Sequence, residues 1–139
     1  MKTEKHNGIE IPKLGFGTWQ IKGAACEDVV SFALDHAGYR HIDTAQIYEN
    51  ELEVGNAIQR SAVTRDDVFL TTKIWLDQMT GDKVIASLEE SLTKLQTEYC
   101  DLVLVHWPNE DVPFEDTLTA LQNAVDQGKT RMILSLIHI

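Results

Sequence analysis

The sequence predicts an α/β fold with parallel strands, and three observations predict it. Apolar, strand-like stretches around Phe16, Ile42, Leu70, Val103 and Ile133 recur roughly every thirty residues. Each of the first four is followed by a segment with helical spacing of apolar residues, and strict alternation of this kind implies a parallel sheet with crossover helices. Three stretches also end in an ionisable group, Asp43, Lys73 and His106, with Tyr48 five residues beyond Asp43. The C-terminal ends of parallel strands are where α/β enzymes gather chemistry. Two architectures fit, an open doubly wound sheet and a (β/α) barrel. Gly15-Phe-Gly17 is followed by Thr-Trp-Gln, so a dinucleotide fingerprint would lack its third glycine. Distinctive residues at one end of four successive strands favour the barrel.

Taken in order, Glu4 to Ile11 centres on Asn7-Gly8, whose tolerance of positive φ signals a two-residue hairpin. Pro12 is expected to break that pairing, and Leu14 to Gly17 to form a short strand with Thr18-Trp19 just past its end. Val29, Val30, Ala33 and Leu34 mark one face of a helix over 24–37 that Gly38 stops. Arg40 to Thr44 reads as a strand and Asn50 to Ser61 as a helix. Thr64 to Asp67 reads as a capping turn into a strand over Val68 to Thr72, and Ile74-Trp75 as the start of a loop. Val84, Ile85, Leu88, Leu92 and Leu95 predict a helix over 82–95. Asp101 to Val105, apolar through its middle, suits a strand covered on both faces. Phe114, Leu118, Leu121 and Val125 predict a helix over 113–127 closed by Gly128, and Met132 to Leu134 begins a fifth strand.

Twelve basic against twenty-two acidic residues give a net charge of -10, which argues against nucleic acid as a partner. No apolar run reaches the roughly 18 residues of a membrane span, and Met1 to Asn7 lacks a signal peptide's apolar segment. No membrane partner and a cytoplasmic location are therefore expected. Cys26 and Cys100 lie far apart without metal-ligand spacing and read as reduced thiols. His6, His36, His41 and His138 receive no role, and no metal site is expected.

If the strand ends converge, Tyr48 lies near an ammonium, Lys73, and a carboxylate, Asp43, with the His106 imidazole across the mouth. A phenol is a weak acid at neutral pH, and a nearby ammonium favours its ionised form. Asp43 would keep Lys73 charged, and a neutral His106 would orient a carbonyl oxygen. Such a set protonates an oxygen as charge develops on it, as carbonyl reduction requires, and a nicotinamide would have to supply the hydride. Trp19, Trp75 and Trp107, on loops after strands, are expected to wall the cavity. Each residue alone has a plainer explanation: a turn cap for Asp43, a surface lysine, a packing tyrosine, a structural histidine. Their coincidence at strand ends is what points to chemistry. An isomerase on the same barrel is the other catalytic reading, and the phenol–lysine pair favours reduction.

At these residues the sequence resembles the aldo-keto reductases. Gly38-Tyr-Arg-His-Ile-Asp-Thr-Ala45, continuing to Glu51 and Gly55, is similar to the family's first signature, and the likeness runs from about Ile9 to Arg131. Asp-Thr-Ala-Gln-Ile-Tyr48, Thr-Thr-Lys-Ile-Trp75 and His-Trp-Pro108 resemble most the bacterial 2,5-diketo-D-gluconate reductase branch. The resemblance implies a (β/α)8 TIM barrel and NADPH-dependent reduction of small aldehydes and keto sugars. It implies Tyr48 as general acid, Asp43 and Lys73 as its supporting pair and His106 as substrate orienter. It also implies Thr18, Asp43 and Lys73 at the cofactor, and Trp19, Tyr48, Trp75, His106 and Trp107 at the substrate. The alternative is a non-catalytic binding or regulatory module on the same scaffold.

A complete barrel needs roughly 250 residues, so residues 1–139 are expected to form the N-terminal half of one barrel domain: about four βα units and the start of strand five. After Arg131 the chain reads Met-Ile-Leu-Ser-Leu-Ile-His-Ile rather than the isoleucine-glycine-valine-serine-asparagine-like strand the resemblance implies. Native-like sequence is expected to about residue 133 and a non-native tail over 134–139. A complete enzyme is expected to be a monomer; the half-length chain is expected to be unstable or to associate through its unpaired strand edges, and to show little or no activity.

Overall fold

The computed structural model describes residues 2–107 and 109–135. The chain opens with a hairpin of β1 (Thr3–His6) and β2 (Ile9–Pro12). Asn7 and Gly8 turn it with φ of 47° and 85°, the paired left-handed conformations that match strand twist. Pro12 does not break the hairpin; it pairs with Thr3 as the last residue of β2, an edge position where proline's missing N–H costs nothing.

The remaining strands are β3 (Phe16–Gly17), β4 (His41–Asp43), β5 (Phe69–Ile74), β6 (Cys100–Val105) and β7 (Thr130–Ser135). They form one parallel sheet in the order β3-β4-β5-β6-β7. That order settles the choice of architecture. A doubly wound sheet reverses direction after its first strands, whereas this one advances one strand at a time, as a barrel wall does. Helices α1 (Ala24–Asp35), α2 (Glu51–Arg60), α3 (Gly81–Leu95) and α4 (Phe114–Asp126) fill the four crossovers. A 3-10 turn, Gln46–Tyr48, lies between β4 and α2, and another, Leu76–Gln78, lies between β5 and α3.

The core lies between the sheet's outer face and these helices, built on Val30, Leu34, Ile42, Val54, Leu70, Leu88 and Val103. Helix α1 buries Val30, Ala33 and Leu34 as expected, with Cys26 in place of Val29, which stands exposed beside Phe32. Helix α4 is rotated: it buries Thr117, Ala120, Leu121 and Ala124 and turns Leu118 outward. The strand ends also move: β5 extends through Ile74, so Lys73 is its penultimate residue.

Asp101, buried at the start of β6, locks three strands at the opposite rim. Its Oδ2 accepts from the Leu70 N–H at 2.9 Å and from the Arg65 guanidinium at 3.1 Å, and its Oδ1 accepts from Arg131 at 2.9 Å. Leu134 and Ser135 continue β7 in register with Leu104 and Val105; the rest of the expected tail, 136–139, with His138, lies outside the described residues.

Candidate active site

Strand pairing explains why groups thirty residues apart meet. Asp43 pairs with Thr71, and Lys73 with Leu104. Alternate residues share a face, so Asp43, Thr71, Lys73, Leu104 and His106 project to the same side of the sheet, opposite the helices. The His106 N–H donates to Ile74 O at 3.1 Å, carrying the pairing one residue past β6. Tyr48 ends its 3-10 turn; the next residue, Glu49, takes φ 55° and lets the chain reverse into α2.

Lys73 is 6% exposed. Its ammonium donates to Asp43 Oδ1, to Thr44 O at 2.8 Å and to the Tyr48 hydroxyl oxygen at 3.3 Å. All three N–H groups therefore have acceptors, the condition for a buried ammonium. It also lies 4.8 Å from the Tyr48 ring centroid. The His106 ring meets Tyr48 edge-on at 5.7 Å and Trp75 edge-on at 5.2 Å. Burial and the nearby Lys73 charge hold the His106 pKa below its usual value, against the opposing pull of Asp43. Its Nδ1 is buried without a partner among the described residues. A buried lone pair is tolerated better than a buried N–H, so the neutral ring carries its proton on Nε2.

The structure thus brings Asp43, Tyr48, Lys73 and His106 together, and Trp75 packs on His106. Thr18 is fully buried, its hydroxyl donating to Asp43 O at 3.1 Å and its N–H to the same oxygen at 3.0 Å. Trp19 and Trp107 stand 66% and 52% exposed, so of the three expected wall residues only Trp75 closes on the tetrad.

Two amide side chains flanking Tyr48 carry no pattern that sequence reasoning could use. Asn50 precedes α2, where an N-cap is expected, yet it makes no side-chain cap. Its Nδ2 donates to Thr18 O at 2.8 Å and Ile21 O at 2.9 Å, and its Oδ1 accepts from the Thr44 hydroxyl at 2.7 Å. Gln46 bonds to α3 and to the Trp75 amide. Glu51, also buried, accepts from the Thr72 hydroxyl at 2.6 Å; burial raises its pKa above the usual carboxylate value, and its bonds to Thr72 and Ser91 oppose the shift.

The residues present fit the nicotinamide end of a dinucleotide. Asp43 gives one oxygen to Lys73 and stays a third exposed, leaving acceptor capacity for a hydroxyl or amide. No metal-holding group of histidine, cysteine or carboxylates occurs among the described residues, and no described helix is long and apolar enough to cross a membrane.

The model of the aldo/keto reductase family matches residues 13–133. Methylglyoxal reductase DkgB of Yersinia pestis is 49% identical over 127 residues, which cover 90% of this chain and 47% of the relative. A candidate 2,5-diketo-D-gluconic acid reductase B of known structure superposes with a TM-score of 0.88 at 51% identity, covering 93% of this chain and 46% of the other. An aldo-keto reductase of Bombyx mori, solved with NADP, superposes with a TM-score of 0.86 at 35% identity, covering 96% and 50%. The chain therefore spans about half the length of the relatives it matches.

Proposed function

The chain belongs to the aldo/keto reductase family, and on that premise we propose that it carries the proton-donating half of an NADPH-dependent reductase of small aldehydes and ketones. The observation behind this is the Tyr48 hydroxyl 3.3 Å from a buried Lys73 ammonium that Asp43 holds. NADPH is proposed from the relatives solved with NADP or NADPH, and the carbonyl class from the reductases of methylglyoxal and diketogluconate. When bound, the reduced nicotinamide supplies the hydride.

The rest is done by this chain's side chains. Because the Tyr48 oxygen accepts from Lys73, its own proton points away from the ammonium, free to reach a carbonyl oxygen. As negative charge builds on that oxygen, Tyr48 donates the proton, and Lys73 stabilises the phenolate left behind. His106, neutral and protonated on Nε2, donates a second hydrogen bond and fixes the carbonyl's direction. Trp75 keeps water from the His106 ring, with Trp19 and Trp107 reaching a substrate from the loops. Thr18 anchors the Asp43 backbone beside the nicotinamide. A reducing, cytoplasmic setting agrees with two buried free thiols.

The described residues supply five parallel strands where a closed barrel of this type needs about eight, so little turnover is expected from them alone. In a chain carrying the complete barrel, Tyr48→Phe should keep the NADPH fluorescence change. It should lower aldehyde-dependent NADPH oxidation by about 10²–10⁴-fold. If Tyr48→Phe turns over within tenfold of the parent, the acid is another group.

A further inference from the structure

We infer that Gln46 is a positioning residue for Tyr48, setting where the phenol stands relative to Lys73 and His106. The inference deepens the reading above and rests on it for its relevance to catalysis. Gln46 opens the 3-10 turn that Tyr48 closes. Its Nε2 donates to Ser87 O at 3.2 Å and to Ser91 Oγ at 3.1 Å, both on α3. Its Oε1 accepts the Trp75 backbone N–H at 2.9 Å. The amide has one workable orientation, since reversing it would set its NH2 against the Trp75 N–H.

Three of the four chemical groups ride on segments that meet here. Tyr48 is two residues along the same turn. Trp75 lies two residues beyond Lys73, and Ile74, between them, receives the His106 N–H. One side chain therefore ties the acid's turn to the strand end that carries the ammonium and holds the imidazole.

Packing behind the turn does not duplicate the tie, because a cleft of about 240 Å³ lies there, lined by Gln46, Ile47, Trp75, Ser87 and Ser91 among others. On its front, Tyr48 meets the Lys73 ammonium and the His106 ring, and Thr44, at the turn's entry, is tied to Asn50 and Thr71. Losing Gln46 frees the back of the turn, so the Tyr48 ring shifts relative to His106.

The test uses isotope-labelled 139-residue chain and two variants, Gln46→Ala and Gln46→Glu. Glutamate keeps an oxygen for the Trp75 N–H but sets its other oxygen against Ser87 O, and the Ser91 hydroxyl already serves Glu51, so it keeps the bond to the strand end and loses the tie to α3. Two signals are read: hydrogen exchange at the Trp75 amide and the ring-to-ring NOE between Tyr48 and His106. In Gln46→Ala the Trp75 amide should exchange about tenfold faster, as expected for loss of one hydrogen bond, and the NOE should drop by more than half. In Gln46→Glu the Trp75 amide should return toward the parent rate, while the NOE should fall between those of the parent and the alanine variant. Leu34→Ala, a core truncation on α1, should leave the NOE intact and so separates positioning from general destabilisation. An unchanged NOE in Gln46→Ala overturns the inference, as does an equal loss in Leu34→Ala. If Tyr48→Phe retains turnover, the catalytic reading fails separately, and the ring contact still decides whether Gln46 positions Tyr48.

Discussion

Gly55 is where one added carbon should cost the most. It lies in the middle of α2, where alanine is ordinarily about 1 kcal/mol better than glycine. Here a Cβ would meet Lys94 O at 2.6 Å, the Leu95 carbonyl carbon at 2.7 Å and Leu95 Cα at 2.8 Å. All three are backbone atoms at the end of α3, so no rotamer change relieves the clash. Restoring a contact distance of about 3.5 Å needs the helices to part by about 0.8 Å. A gap of that size forfeits about a quarter to a half of each dispersion contact along the α2–α3 seam. Overpacking of this kind costs about 1–3 kcal/mol, occasionally more, and backbone contacts place Gly55 at the upper end. After the propensity gain of about 1 kcal/mol, a net loss of about 2 kcal/mol remains, or about 5–8 °C in Tm for a chain of this size. Gly81 supplies the control: it opens α3 with nothing within 4 Å of the equivalent carbon. Gly81→Ala should therefore match or exceed the parent by about 0.5–1 kcal/mol. Calorimetry or thermal circular dichroism reads both. Should Gly55→Ala melt at or above the parent, α2 and α3 are not in backbone contact at this glycine.

Burial lowers the pKa of both His41 and His106 from the ordinary 6.5. For a base shifted down, the unfolded chain takes the proton first, so stability present above 6.5 is lost as pH falls below it. Glu51, shifted up by burial, works the other way as pH falls toward its ordinary 4.5. The urea midpoint should thus decline from pH 7.5 to about 5.5, less steeply in His41→Gln; a pH-independent midpoint in both proteins would contradict the burial of these rings. Cys26, pushed up to about 11 by burial and by Glu53 and Glu27, and Cys100, raised by burial, should resist thiol reagents in native buffer and react on unfolding. Stoichiometric labelling of either within minutes in native buffer would mean that α1 or β6 opens readily. Stability should also fall above pH 9, as the unfolded thiols ionise before the buried ones.

Much of the fold was legible because strands and helices alternate at even spacing and because Gly38 and Asn7-Gly8 punctuate them. The tetrad was legible because each member lies at or just past a strand end. The α4 face was misjudged where hydropathy misleads: Leu118 suits a core by hydropathy, yet Thr117, Ala120 and Ala124 take inner positions beside Leu121. Trp19 and Trp107 were read as walls from their place after strands and from the family resemblance; both stand exposed, and what lies opposite an exposed ring is not written in its own segment. Gln46 and Asn50 were invisible because an amide's partners are fixed only by tertiary contact. Gly55 was noted within the family-like stretch, but its reason, the Lys94–Leu95 backbone, is forty residues away.

The tetrad's arrangement follows from parity. Asp43 is level with Thr71, Lys73 is two residues on and level with Leu104, and His106 is two residues beyond that. Each step conserves the face of the sheet while advancing toward the same rim, so the groups climb as they cross from β4 to β6. A slip of one residue in either pairing would turn Lys73 or His106 to the helical face, away from Tyr48 and Asp43. The β5–β6 pairing is pinned at the far rim by Asp101, which bonds Leu70 N–H, Arg65 and Arg131. Asp101 touches none of the four groups, yet it helps fix the register that sets Lys73 and His106 on one face; the β4–β5 pairing, which sets Asp43 beside Lys73, involves none of its bonds.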